Sequence, residues 1–204
     1  MAVACLLPVS VHGDYASPGQ ITIHEIEGIE TVDEKRVALI QEALEVQQQY
    51  LLDQYIYGSA DPKLGGFDCS GAIYFILKQV GLQPPRSSDR QFKWLNEHET
   101  IHLIPEGVHS LEDQAFSNLK PGDLLFWSGT YNPEHPRVNK ITHVEMYLGI
   151  EKATGKHIMI GSTSGRYYKG TPRTGYGVFD FKLPSASSSS RFMGYGPPPG
   201  LLEP

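Results

Sequence analysis

The sequence predicts an α+β domain whose helices precede an antiparallel sheet. Two observations point there. Helical periodicity is confined to the first half of the chain, and beyond Lys120 the pattern changes to short apolar runs bounded by turn residues. The predicted strands also follow one another with no helix between them, which argues against a parallel α/β sheet.

Residues 1–32 are expected to form an N-terminal arm. The opening MAVACLLPVSVHG has no basic n-region and is broken by Pro8. It is therefore weak as a complete secretory signal and reads as an arm or a processed remnant. Cys5 after Ala-Val-Ala faintly resembles an acylation box. Ile21–Glu27 (ITIHEIE) looks strand-like. The clearest helix is Asp33 to Leu52, with Val37, Ile40, Leu44 and Leu51 near one face and a capping-box pair in Thr31 and Glu34. Gly58 to Gly66 is a loop. A second helix, Ser70 to Val80, is capped by Asp68 or Cys69 and ended by Gly81 and Pro84-Pro85. Its stripe of Ile73, Ile76, Leu77 and Val80, flanked by Tyr74 and Phe75, suits the middle of the fold. A third helix starts near Ser87 or Ser88 and reaches Asn96.

Pro121-Gly122-Asp123 is a turn, and Leu124 to Trp127 is the first predicted strand of the sheet. Ile141 to Ile150, His157 to Ile160 and Gly177 to Leu183 follow. Ser185 to Ser190 reads as a surface loop, Arg191 to Gly196 as a short terminal strand, and residues 197–204 as a Pro/Gly-rich tail that does not pack. A domain over 33–196 is expected between arm and tail.

Composition excludes several classes. The 204 residues carry 17 Lys+Arg against 23 Asp+Glu, a net charge of -6, which argues against a nucleic-acid binder or a basic membrane-surface protein. With 40% hydrophobic and 20% charged residues the chain is of globular type. Two cysteines make neither a disulfide framework nor a Cys-rich zinc site. Its apolar runs fall short of the roughly 20 residues that span a bilayer.

The chemistry converges on Cys69. A thiolate at the head of a helix meets unpaired backbone N–H groups and the positive end of the helix dipole, and both lower the thiol pKa. Ser70 and Gly71 leave room for a carbonyl, and nearby N–H groups can receive an oxyanion. The opposing reading is a buried structural cysteine. Of the eight histidines, His98, His102, His109 and His135 lie in polar segments and read as surface residues, and His12 and His24 have no assigned role. His143 opens an apolar strand, Thr142 to Gly149, and can be held rigidly against a helix N-terminus. His157 begins the next strand and can stand beside it in a hairpin as the third, orienting group.

These residues resemble the NlpC-type (NlpC/P-sixty) papain-like cysteine peptidases of bacterial cell-wall metabolism. Four blocks carry the likeness in family order: Tyr55-Ile56-Tyr57-Gly58 with Gly66 to Gly71 (GFDCSG); Pro85 to Ser88 with Gln91; Leu119 to Trp127 (LKPGDLLFW); and Thr142 to Gly149 (THVEMYLG). The resemblance implies a circularly permuted papain-like fold, with the nucleophile helix packed on a small antiparallel sheet. It implies hydrolysis of amide bonds in peptidoglycan stem peptides or muropeptide fragments, next to γ-linked D-glutamate and before diaminopimelate or Lys, with no metal or organic cofactor. Cys69 becomes the nucleophile and His143 the general base. Tyr55 shapes the site, and Asp68 and Ser70 match positions that contact the free amino end of the substrate, although Asp68 equally suits a helix cap.

Three departures stand out. Two residues after the histidine the family has a small residue, commonly Gly; here Glu145 shares the His143 face and is expected to crowd the cleft, pair with a cation or touch a substrate ammonium. The third catalytic residue, usually His on the next strand, aligns with Met159 or with Gly161, neither of which can orient a histidine, so His157 is the expected substitute. Residues 1–32 are too short for a separate wall-binding module. Residues 97–117 exceed the usual connection and either roof the cleft or form a surface insertion, the latter preferred. Cell-envelope, periplasmic or secreted action is expected, with cytoplasmic recycling as the alternative. The rival functions are a non-catalytic wall-binding module and a cysteine amidase or acyltransferase of the same scaffold.

Overall fold

The computed structural model describes residues 15–202; the Cys5 and His12 readings lie outside them. Its main helices are α1 (Glu34–Gln49), α2 (Cys69–Gln79) and α3 (Ser88–Glu97). A two-stranded parallel pair, β1 (Gln54–Tyr55) and β2 (Gly66–Phe67), stands before α2. The large sheet contains β3 (His102–Leu103), β4 (Leu124–Ser128), β5 (Ile141–Glu151), β6 (Lys156–Tyr168), β7 (Thr171–Asp180) and β8 (Arg191–Gly196), in the order β3-β8-β4-β5-β6-β7, antiparallel throughout. The α+β class is borne out, with helices on one face of an antiparallel sheet. No helix among the described residues is long and apolar enough to cross a membrane.

Both faces of the sheet are covered. On the helix side Val144, Met146 and Leu148 of β5 join Ile73, Ile76 and Leu77 of α2 and Leu39, Ile40 and Leu44 of α1 in one apolar cluster. Each such fully buried side chain contributes about 1.5–3 kcal/mol of transfer free energy. On the other side Trp127, Tyr147, Phe179, Phe181, Phe192 and Tyr195 form a second cluster. Phe116 seals it from the 97–117 segment, with Ile104, Val108 and Leu111 packed around. That segment is thus a cover for the sheet's second face.

Several local expectations change. Asp33, not Thr31, caps α1, accepting from Lys35 N and Arg36 N; Thr31 Oγ1 instead donates to Gly28 O. The helix stops at Gln49, because Tyr50 turns extended, and Leu51 is exposed. Ile23–Glu25 is a 3-10 turn rather than strand, held by a Thr22–Glu25 capping box. Ile21, Ile26 and Ile29 of the expected arm are buried in the core. The third predicted strand is far longer, as β6 continues to Tyr168 and its hairpin with β7 turns at 169–170. Beyond β8 the chain does pack, since Pro198, Pro199 and Leu201 are buried.

Candidate active site

The start of α2 is fixed by Asp68. Its Oδ1 accepts from Gly71 N at 2.6 Å and from Ser70 Oγ at 3.1 Å, and its Oδ2 accepts from Gly58 N at 2.9 Å. Arg86 grips the same carboxylate with both terminal nitrogens, at 3.0 and 2.8 Å, and reaches Ser70 Oγ at 3.1 Å. Gln91 of α3 donates to Ser70 O and Pro85 O. Gly71 allows the preceding loop to close on the helix: a Cβ there would stand 2.0 Å from Ser59 O. The Pro85–Ser88 and Gln91 block therefore clamps the turn that carries Cys69.

β5 supplies the partner. Its anchoring comes from the Lys120–Asp123 turn, where Gly122 N donates to Tyr147 O and Tyr147 N to Asp123 O. Arg36 of α1 holds Asp123 Oδ1 at 2.8 Å in a buried ion pair. His143 and Cys69 are both buried and interact electrostatically, with the Val144 backbone N–H also acting on the sulfur. Burial alone pushes the Cys69 thiol pKa up; the His143 charge and the Val144 N–H outweigh it and leave the thiol below its usual value. Burial likewise pushes His143 down, but the facing sulfur, together with the hydrogen bond and charge of Glu145, raises its pKa to about 9. The favoured state is a thiolate–imidazolium pair.

The second ring nitrogen of His143 is taken. Nε2 lies 2.8 Å from Glu145 Oε1, which leaves Nδ1 for the sulfur. Glu145 is fully buried, and Arg166 of β6 places Nε 3.4 Å from the same oxygen. The register of β6 shifts between Thr163 and Arg166, and this bulge aims the guanidinium across the Trp127 ring at 4.6 Å.

His157 is not part of this cluster. It pairs with Ile150, seven residues along β5 from His143, a separation of roughly 20 Å at strand rise. The hairpin closes through residues 152–155, so His157 lies beside the turn and not beside the thiol. Its Nδ1 meets Tyr147 Oη at 2.6 Å, and burial lowers its pKa. The expected orienting contact to His143 comes from Glu145 instead. Tyr55 Oη does point at the sulfur, at 4.0 Å. Its burial and the charges of Cys69 and Asp68 push the phenol pKa well up, so it stays a proton donor. Ser70 sits between Asp68 and Arg86, and both are engaged within the protein.

A cleft of about 990 Å³ opens over His143. Tyr55, Tyr57, Trp127, Tyr131 and Tyr167 line it, with Arg166 and Lys182 as its cations. None of residues 97–117 lines it. Arg166 was not singled out by sequence, because its place depends on the β6 bulge.

Comparison with known proteins places these features in context. The model of the NlpC/P60 family matches residues 53–174. A gamma-DL-glutamyl hydrolase of Bacillus subtilis is 30% identical over 149 residues, 71% of this chain and 29% of that protein. The murein DD-endopeptidase MepH of Escherichia coli is 30% identical over 153 residues, 68% of this chain and 47% of its own. The chain thus spans less than half the length of either relative. Among solved structures, an NLP/P60 family lipoprotein-like protein of Staphylococcus aureus is 24% identical, covers 89% of this chain and 44% of its own, and has a TM-score of 0.46.

Proposed function

The chain belongs to the NlpC/P60 family, and from that membership we propose that it is a cysteine endopeptidase of peptidoglycan stem peptides, cutting the amide between γ-D-glutamate and diaminopimelate or Lys. The observation that carries the activity is the meeting of Cys69 at the α2 N-terminus with a His143 whose far nitrogen is already held.

The steps follow from the geometry. The Cys69 thiolate adds to the amide carbonyl carbon, and the carbonyl electrons move to oxygen. The backbone N–H groups of Cys69 and Ser70 at the start of α2, where no intrahelical acceptor is available, stabilise that oxyanion, with the Tyr55 hydroxyl alongside. His143 gives its Nδ1 proton to the leaving amine as the C–N bond breaks. Water then attacks the thioester, His143 takes the proton, and the thiolate is restored.

The cleft supports an anionic peptide. Arg166 and Lys182 bring positive charge to a lining that is otherwise largely aromatic and hydroxylic, which suits the free α-carboxylate of a γ-linked glutamate. The relative named a gamma-DL-glutamyl hydrolase favours a γ-glutamyl bond, while MepH, named a DD-endopeptidase, makes the D,D cross-link the second reading. We infer action at the cell wall from this substrate. The test is a panel of defined muropeptides with product masses measured. Release of L-Ala-γ-D-Glu from L-Ala-γ-D-Glu-diaminopimelate by the wild type, and none by Cys69→Ala, supports the proposal. Cleavage by both proteins, or by neither, rejects it.

A further inference from the structure

The position opposite Glu145 explains how a carboxylate fits under the catalytic histidine. Met146 pairs with Ile160, so one more step of the register sets Gly161 against Glu145. A Cβ on Gly161 would stand 2.8 Å from Glu145 Cγ, 3.2 Å from its Cβ and 3.3 Å from its Cδ. The Glu145 side chain fills the space that a residue on β6 would otherwise use to approach His143. Its route to Nε2 is fixed from below by the strand, since residues two apart share a face. Arg166, stacked over Trp127, stands beside Oε1, while Glu145 Oε2 has no hydrogen-bond partner in the protein. One oxygen therefore carries the contacts to both His143 and Arg166.

We propose that Glu145 is the positioning residue of the Cys69–His143 pair, and that Gly161 is its obligate counterpart, the orienting side chain having moved from β6 to the histidine's own strand. The inference rests on the hydrolase reading above. It assigns the site an anionic orienting group, whose charge is matched to the imidazolium in the resting pair. It also gives Gly161 a role without a side chain: any substituent there would displace the carboxylate.

The experiment is the pH dependence of Cys69 alkylation by iodoacetamide, with muropeptide hydrolysis measured alongside. It uses the full chain as wild type, Glu145→Gln, Glu145→Gly and Glu145→Gly with Gly161→His, each checked for folding by circular dichroism. Wild-type Cys69 should react well below the ordinary thiol pKa of about 8.5. Glu145→Gln keeps an oxygen at Nε2 but loses the charge, so alkylation at neutral pH should slow by about tenfold, the effect of one pKa unit. Glu145→Gly should slow it further, and adding Gly161→His should recover rate by restoring an orienting group from β6. An activated wild-type thiol whose profile is unchanged in Glu145→Gln and Glu145→Gly overturns this inference and leaves the hydrolase reading standing. A folded double variant no faster than Glu145→Gly overturns the cross-strand exchange. A wild-type thiol that titrates as a free cysteine overturns both the hydrolase reading and the inference.

Discussion

Glu145 and Gly161 face each other across β5 and β6, and the carboxylate side chain occupies the volume that a side chain on Gly161 would need. The pair accounts for two departures from the family pattern at once. A bulky acid stands where the family resemblance implies a small residue, and Gly161 is, with Met159, one of the two positions to which that resemblance aligns the orienting residue. Each is tolerable only because of the other.

Gly161→Ala should therefore destabilise the protein by about 1–3 kcal/mol, the ordinary cost of overpacking a closed site. The neighbour it meets is the middle of a buried side chain rather than a free end. In a Glu145→Gly background the same substitution should be close to neutral. Urea unfolding of the four proteins measures the coupling, and additive costs would mean that the two side chains do not compete for space.

His157→Ala should leave hydrolysis within about threefold of wild type, less than 0.7 kcal/mol on the barrier. It removes the Tyr147 hydroxyl contact at 2.6 Å and should cost about 1 kcal/mol of stability. Steady-state kinetics and denaturant unfolding separate the two effects.

Asp68→Ala should lower stability and turnover together. The carboxylate caps α2 and holds Gly58 N and Arg86, so cap loss alone costs about 1–2 kcal/mol. Asp68→Asn keeps an acceptor for the cap and should recover much of the melting temperature. A change confined to KM, with stability and kcat intact, would instead mark Asp68 as a substrate contact.

The pH–rate profile should fall on its alkaline side as His143 loses its proton near pH 9. The groups that face this imidazole are Cys69 of α2, Glu145 of β5, and Arg166 of β6 through Glu145. The sign follows from the raised pKa: the histidine's contribution to folding stability is complete below its unfolded value of about 6.5 and is lost as pH rises through about 9. Parallel activity and thermal-melting series across that window check both halves.

Cys69 and His143 were legible in the sequence because each is fixed by local pattern. The capping aspartate and the apolar stripe announce α2, and alternation announces β5. His157 misled for a physical reason: residue type and strand parity pointed to it, but register depends on how the 152–155 turn closes. The shared face of His143 and Glu145 was visible by period two, yet the carboxylate's use was not. Gly161 was the missing signal, since a glycine opposite an acid on a buried face leaves room for that acid to lie flat. Asp68 could be read as cap or as substrate contact, and only the Arg86 clamp displays its full set of partners. Ile21, Ile26 and Ile29 lie in or beside a segment whose strand-like pattern gives way to 3-10 turns, so their burial follows from tertiary packing and not from that pattern.

The most direct measurement is the ultraviolet thiolate absorbance of Cys69, titrated as the difference between wild type and Cys69→Ser. A thiolate already present at neutral pH, and lost at neutrality when His143 is replaced by Ala, is the predicted result. A wild-type thiol that ionises near the free-cysteine value of about 8.5, unchanged by that replacement, would contradict it.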